Sequence, residues 1–100
     1  MMDDKNKSIG AAIKAARRAK GLSQEEFARS LGYDNGQFVS DWERGQSPIP
    51  MKKLAEISRI LNMDRDQLFE LLLQFSVDRL SDNMRKEYSQ QRLSKARSRT

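Results

Sequence analysis

The sequence contains no cysteine and no histidine. Without cysteine there can be no disulfide and no thiolate metal site. Without histidine the commonest general base and the commonest metal ligand are both missing. The usual nucleophile–base and metal constellations therefore cannot be built, and neither an enzyme nor a bound cofactor or metal is expected. Apolar residues make up only 37% of the chain, which is little for a compact core of 100 residues, so a partner subunit is expected to add stability. The longest apolar stretch, around 68–73, is far too short to span a bilayer, and the opening MMDDKNKS has no apolar signal region. No membrane association is expected, and the protein should stay in the cytoplasm. Strand-like alternation, internal repeats and glycine-rich phosphate loops are also absent.

The charge that is present is unevenly placed. The formal net charge is +5, yet residues 1–84 carry 13 basic and 13 acidic side chains and sum to zero. Residues 85–100 hold six basic residues against Glu87 alone. A second basic concentration lies within 5–20, where Lys5, Lys7, Lys14, Arg17, Arg18 and Lys20 stand with no acid among them. Two basic clusters of this kind suit a polyanion, although a solvated surface has the same composition.

Apolar spacing and cap residues divide the chain into five helices. Ile9, Ala12, Ile13 and Ala16 fall at i, i+3, i+4 and i+7 behind Ser8, and Gly21 ends that helix. Ser23-Gln24-Glu25-Glu26 reads as a capping box for a second, short helix that buries Phe27, Ala28 and Leu31 and stops at Gly32. Asp34 or Asn35 can cap a third helix, with Gln37 placed to complete a box on Asp34; Val39 and Trp42 lie on its inner face and Gly45 is its stop. After Ser47-Pro48-Ile49-Pro50, a fourth helix starts near Pro50 with Leu54, Ile57 and Leu61 inward. Asp64 caps a fifth that carries two apolar stripes. Leu68, Leu71, Leu72 and Phe75 form the first. Phe69, Leu73, Val77, Leu80, Met84 and Tyr88 form the second, and one core cannot bury both. From Gln90 onward the polar, basic sequence reads as unstructured.

Two short capped helices joined by a glycine-containing turn, with a supporting helix on each side, are the parts of a helix-turn-helix over residues 23–45. An α-helix fits the major groove of B-DNA, where each base pair shows its own donor–acceptor pattern. The run GLSQEEFARSLG…FVSDWERGQSPIPMKKLAEISRILNM resembles the phage repressor and Cro family of regulators, the XRE family, over about residues 9–73. The features that match are G-L-S-Q-x-E-x-A-x-x-L-G, the W-E-R-G ending of the third helix, and the following L-A-x-I-x-x-x-L.

That resemblance implies an all-α, five-helix, lambda-repressor-like DNA-binding domain over 9–75. An N-terminal arm (1–8) precedes it; a helical extension (76–90) and a basic tail (91–100) follow. It further implies that Asn35, Gln37, Phe38 and Asp41 read bases, with Gly36 beside them at the front of the recognition helix. Arg17, Gln24, Ser40, Arg44 and Lys52 would contact phosphates, and Arg17 would also pair structurally with Glu43. From Gly32 to Gly45 the chain has one residue more than the commonest family spacing, and the extra residue falls within Tyr33-Asp34-Asn35. The start of the recognition helix is thereby shifted by up to one position.

Each role has a plainer alternative in the residues themselves. Gln37 could serve only as a cap partner, although its amide matches adenine and so favours an A·T pair. Phe38, four residues before Trp42, could be core or could pack on a thymine methyl. Asp41 could accept from cytosine N4 or orient a neighbour, and Trp42 reads as core. The stripe formed by Phe69, Leu73, Val77, Leu80 and Met84 suits pairing with a second copy, against folding back on its own domain. A homodimer on an inverted repeat is expected, since one recognition helix reads few base pairs. The basic tail could add phosphate contacts or serve a different partner.

Of the functions these parts allow, a sequence-specific transcriptional regulator that binds double-stranded DNA, more often a repressor, fits best. The alternative is an antitoxin or protein-interaction module on the same fold, with a protein partner held by the C-terminal extension. RNA fits less well, because its deep, narrow major groove does not admit a helix.

Overall fold

A computed structural model describes residues 8–98, with side chains described for 8–93. Residues 1–7 of the N-terminal arm, with Lys5 and Lys7, and the last two residues lie outside the described residues. Among the described residues five α-helices follow one another: α1 (Ile9–Ala19), α2 (Gln24–Ser30), α3 (Gln37–Glu43), α4 (Leu54–Leu61) and α5 (Arg65–Ser98). A short 3₁₀ turn, Met51–Lys53, leads from Pro50 into α4. Among the described residues there is no strand, and no helix is long and apolar enough to cross a membrane.

The caps stand where polar side chains allow them. Ser8 Oγ accepts from the Ala11 amide at 3.2 Å at the start of α1. Ser23 and Glu26 form a reciprocal box at α2: the Glu26 amide donates to Ser23 Oγ (3.0 Å) and the Ser23 amide donates to Glu26 Oε1 (2.8 Å). Asp64 Oδ1 accepts from the Gln67 amide at 3.0 Å and starts α5. The chain leaves α4 through Asn62 in the left-handed region (φ 54°), a conformation that asparagine tolerates better than most residues.

One core unites the helices. Ile9 and Ile13 from α1, Phe27 and Ala28 from α2, and Val39 and Trp42 from α3 meet Ile57 and Leu61 from α4 and Leu68 and Leu72 from α5. Helices of seven or eight residues are marginal in isolation, so burial of these side chains holds α2, α3 and α4 in place. The approach of α1 to α3 is set by Gly10. A Cβ there would lie 2.6 Å from the Glu43 carbonyl oxygen and 2.8 Å from that of Trp42.

α5 departs from the sequence reading at its far end. The helix runs on to Ser98 where an unstructured tail was expected from Gln90. The stretch QQRLSKARS contains neither glycine nor proline, and Gln, Arg, Leu, Lys and Ala are all good helix formers. A helix nucleated upstream extends into such residues at little further cost.

Candidate nucleic-acid interface

The turn between α2 and α3 occupies six residues, and its geometry fixes where α3 begins. Asn35 Oδ1 accepts from the Gln37 amide at 2.9 Å, so the asparagine caps from two residues ahead. The expected box between Asp34 and Gln37 does not form. Gly36 stands at the cap position without a side-chain hydrogen bond, and the Gln37 side chain points down the helix rather than back. The turn passes closely against the start of α2: a Cβ on Gly36 would lie 3.1 Å from the Gln24 carbonyl carbon and the Glu25 nitrogen. α3 opens with Gln37 and Phe38 as its first two residues.

Gln37, Asp41 and Arg44 form a connected row on the exposed side of α3. Gln37 Nε2 donates to Asp41 Oδ1 (3.0 Å), and Arg44 Nη2 donates to the same oxygen (2.9 Å). The guanidinium offsets the carboxylate charge that would otherwise face a polyanion. The amide of Gln37 keeps one N–H and its oxygen, the donor–acceptor pair that adenine presents for in the major groove. Phe38 is half exposed, which removes it from the core. Its ring leans on Tyr33 (centroids 4.7 Å apart), and Tyr33 in turn meets Trp42 edge-on at 5.9 Å. Trp42 itself is buried.

Behind this row, Glu43 ties three elements together. Arg17 on α1 donates through Nε to Oε2 (2.6 Å) and through Nη2 to Oε1 (3.1 Å), a two-pronged ion pair. Arg17 Nη1 also donates to the Leu22 carbonyl at 2.7 Å, and Gln24 Nε2 at the start of α2 donates to Glu43 Oε1 at 3.0 Å. The bond to Glu43 raises the Arg17 pKa above its ordinary value, outweighing the opposing effect of burial. Both charged side chains are almost fully covered, at 8% and 3% exposure. Arg17 is therefore placed as a joint between α1 and α3, with three of its five N–H donors engaged inside the domain and little surface left for the phosphate role expected of it. Gln24 is half-buried at the same joint and keeps one amide N–H beyond its bond to Glu43.

The remaining phosphate candidates divide by exposure. Arg44 and Lys52 are exposed, whereas Ser40 is half-buried and its carbonyl accepts from Arg44 Nε at 3.4 Å. Lys53, which the sequence does not distinguish from Lys52, turns inward. Its ammonium donates to the Leu31 carbonyl at 2.7 Å and lies 5.4 Å from the Tyr33 ring centroid. It thus satisfies the end of α2. Tyr33 was likewise not singled out, and the only sequence signal for it is its place five residues before Phe38.

α5 separates its two stripes as their spacing requires. Leu68 and Leu72 are buried, and Leu71 and Phe75 pack partly on the core. On the other face Phe69, Leu73, Val77, Leu80, Met84 and Tyr88 are exposed, from 37% at Phe69 to 62% at Tyr88. Arg79 lies over the Phe75 ring and donates from Nη1 to the Gln46 carbonyl at 2.9 Å. From Asp82 to Leu93 every residue is exposed.

Comparison with known proteins agrees with this arrangement. A helix-turn-helix family model matches residues 13–68, which contain α2, the turn and α3. The chain is 37% identical over 62 residues to the ImmF control region 10 kDa protein of Bacillus phage phi105, a match covering 62% of this chain and 68% of the relative. It is 34% identical over 62 residues to an HTH-type transcriptional regulator of Sinorhizobium medicae, spanning 62% of this chain but only 44% of that protein. Among solved structures, the clp gene regulator ClgR from Corynebacterium glutamicum superposes with a TM-score of 0.56 at 23% identity, over 85% of this chain and 93% of that one, which shows a shared fold. The chain belongs to the XRE-type helix-turn-helix family of DNA-binding transcriptional regulators.

Proposed function

We propose that the protein is a repressor that binds an inverted-repeat operator as a homodimer, reading each half-site with the front of α3. The observation that carries this reading is the exposed row Gln37–Asp41–Arg44, in which an amide keeps a donor and an acceptor for a base while its neighbouring carboxylate is neutralised. Gln37 reads adenine, Phe38 packs on a thymine methyl, and Asn35 and Asp41 border the same bases. Arg44 and Lys52 hold the flanking phosphates, with Ser40 and the free N–H of Gln24 nearer the helix. Occupancy of an operator is enough to block polymerase, and the control-region name of the phage relative supports that mode of action. The exposed stripe on α5 supplies a face for a second copy.

Selection from a random duplex pool, followed by footprinting, tests this reading. The expected product is a palindromic site with half-sites about one DNA turn (~34 Å) apart. Gln37→Ala should weaken the selected site by about 1–3 kcal/mol and leave random DNA almost unaffected. Lys52→Ala should weaken all sequences alike and reduce the slope of log K against log salt by roughly 0.9. A pool that yields no enriched site would refute sequence reading by α3.

A further inference from the structure

We infer that two copies pair antiparallel along α5, and that the basic end of that helix serves to receive the partner's acidic beginning. The inference rests on the homodimer reading and adds its orientation and register.

The first observation is the spacing of the exposed stripe. Phe69, Leu73, Val77, Leu80, Met84 and Tyr88 are separated by steps of 4, 4, 3, 4 and 4, a pattern that is the same read in either direction. Reversing the helix about the midpoint between Asp78 and Arg79 lays the stripe on itself. Phe69 then meets Tyr88 of the second copy, Leu73 meets Met84, and Val77 meets Leu80. Two aromatic rings meet at each end and aliphatic side chains meet between them, and no member of the stripe is left over. All six residues are exposed on the single chain. Residues eleven apart recur (69 and 80, 73 and 84, 77 and 88), which keeps the stripe nearly straight along an α-helix.

The second observation is charge. Between 65 and 82, α5 carries Asp66, Glu70, Asp78 and Asp82 against Arg65 and Arg79. Between 83 and 98 it carries five basic residues against Glu87 alone. A parallel pair would lay one basic half along the other. The antiparallel register instead sets Asp78 level with Arg79 of the second copy and lays residues 83–92 (net +2) along residues 65–74 (net −1). Glu70 is level with the second copy's Glu87 and within one and two residue heights, about 1.5 and 3 Å along the axis, of its Lys86 and Arg85, and Arg65 is level with its Arg92. The first stripe of α5 is occupied by its own domain, so the reading domains lie on the outer sides of the helix pair.

Because the chain has no cysteine, single-cysteine variants report register without interference. Leu73→Cys and Met84→Cys are both at exposed positions; circular dichroism confirms that each keeps its helicity. Under mild oxidation, mixing the two variants should give disulfide-linked dimers, with either variant alone giving at least several-fold less. In this register two copies of residue 73 lie eleven residues apart along the axis, roughly 16 Å, beyond disulfide reach. Cross-linking of each variant with itself, with no gain on mixing, would establish parallel pairing and overturn the inference while keeping the dimer. No cross-link in any combination also overturns it. Sedimentation of the unmodified protein, free and on operator DNA, then separates the remaining cases: two chains would mean pairing through another face, and one chain would remove the homodimer reading as well.

Discussion

At the scale of single residues, two positions decide how α3 is presented. Gly10 allows α1 to approach the carbonyls at the end of α3, and a methyl group there would collide with backbone rather than with a movable side chain. Gly10→Ala should therefore cost about 1–3 kcal/mol, the range for overpacking, and lower the thermal midpoint measured by circular dichroism. Glu43 is the second position. Removing its carboxylate strands the covered Arg17 guanidinium, so Glu43→Ala should cost about 3–5 kcal/mol in a denaturant titration. Replacing Arg17 and Glu43 together by apolar residues should restore much of that loss. The Arg17–Glu43 pair was legible in the sequence through the resemblance alone. Gly10 was not, because a glycine inside an apolar helix face looks the same whether it is a spacer or a point of contact. The inward turn of Lys53 was equally hidden, since only the position of the Leu31 carbonyl tells it from Lys52.

At the scale of elements, the caps show where local sequence is sufficient. Ser23 and Glu26 needed nothing beyond their own helix to form a box, and the sequence pattern identified them. The pattern at Asp34 and Gln37 was equally good, yet Gly36 takes the cap position, close against the start of α2, and the Gln37 amide is held by Asn35. The box at α2 has a measurable signature. The Glu26 pKa is lowered, chiefly by the Ser23 backbone hydrogen bond and then by its hydroxyl. A depressed folded-state pKa means that the stabilisation is fully present above the unfolded value, about 4.3, and is lost as the pH falls through the lower folded value. Glu26→Gln should remove that portion of the acid dependence, which urea titrations between pH 3 and pH 6 would detect as a flatter stability curve. An unchanged slope would show that the cap contributes nothing to the native state relative to the unfolded one.

At the scale of the whole molecule, the composition of the chain and its shape tell one story. An apolar content of 37% is too little for a broad core, and the surplus apolar residues that do exist lie in a row outside it. The two stripes of α5 were readable because helical periodicity assigns faces regardless of what covers them. The extent of α5 was not, since a polar, basic segment has the same composition whether it is helical or not. The consequence of α5 being one unbroken helix lies in measurement. The same rod is clamped to the reading domain at Leu68 to Arg79 and carries the outer stripe along its opposite side, with no joint between the two. Paired as proposed, two such molecules would be a caliper of fixed opening and would accept one half-site spacing sharply. One alanine inserted after Arg79 turns everything beyond it by about 100° and advances it by about 1.5 Å. Binding to an isolated half-site should survive that insertion, whereas binding to the full palindrome should fall by at least tenfold in a gel-shift titration. The insertion falls between Val77 and Leu80, so the gap between those two affinities measures how far an unbroken outer stripe, and not α3 alone, sets binding to the full site.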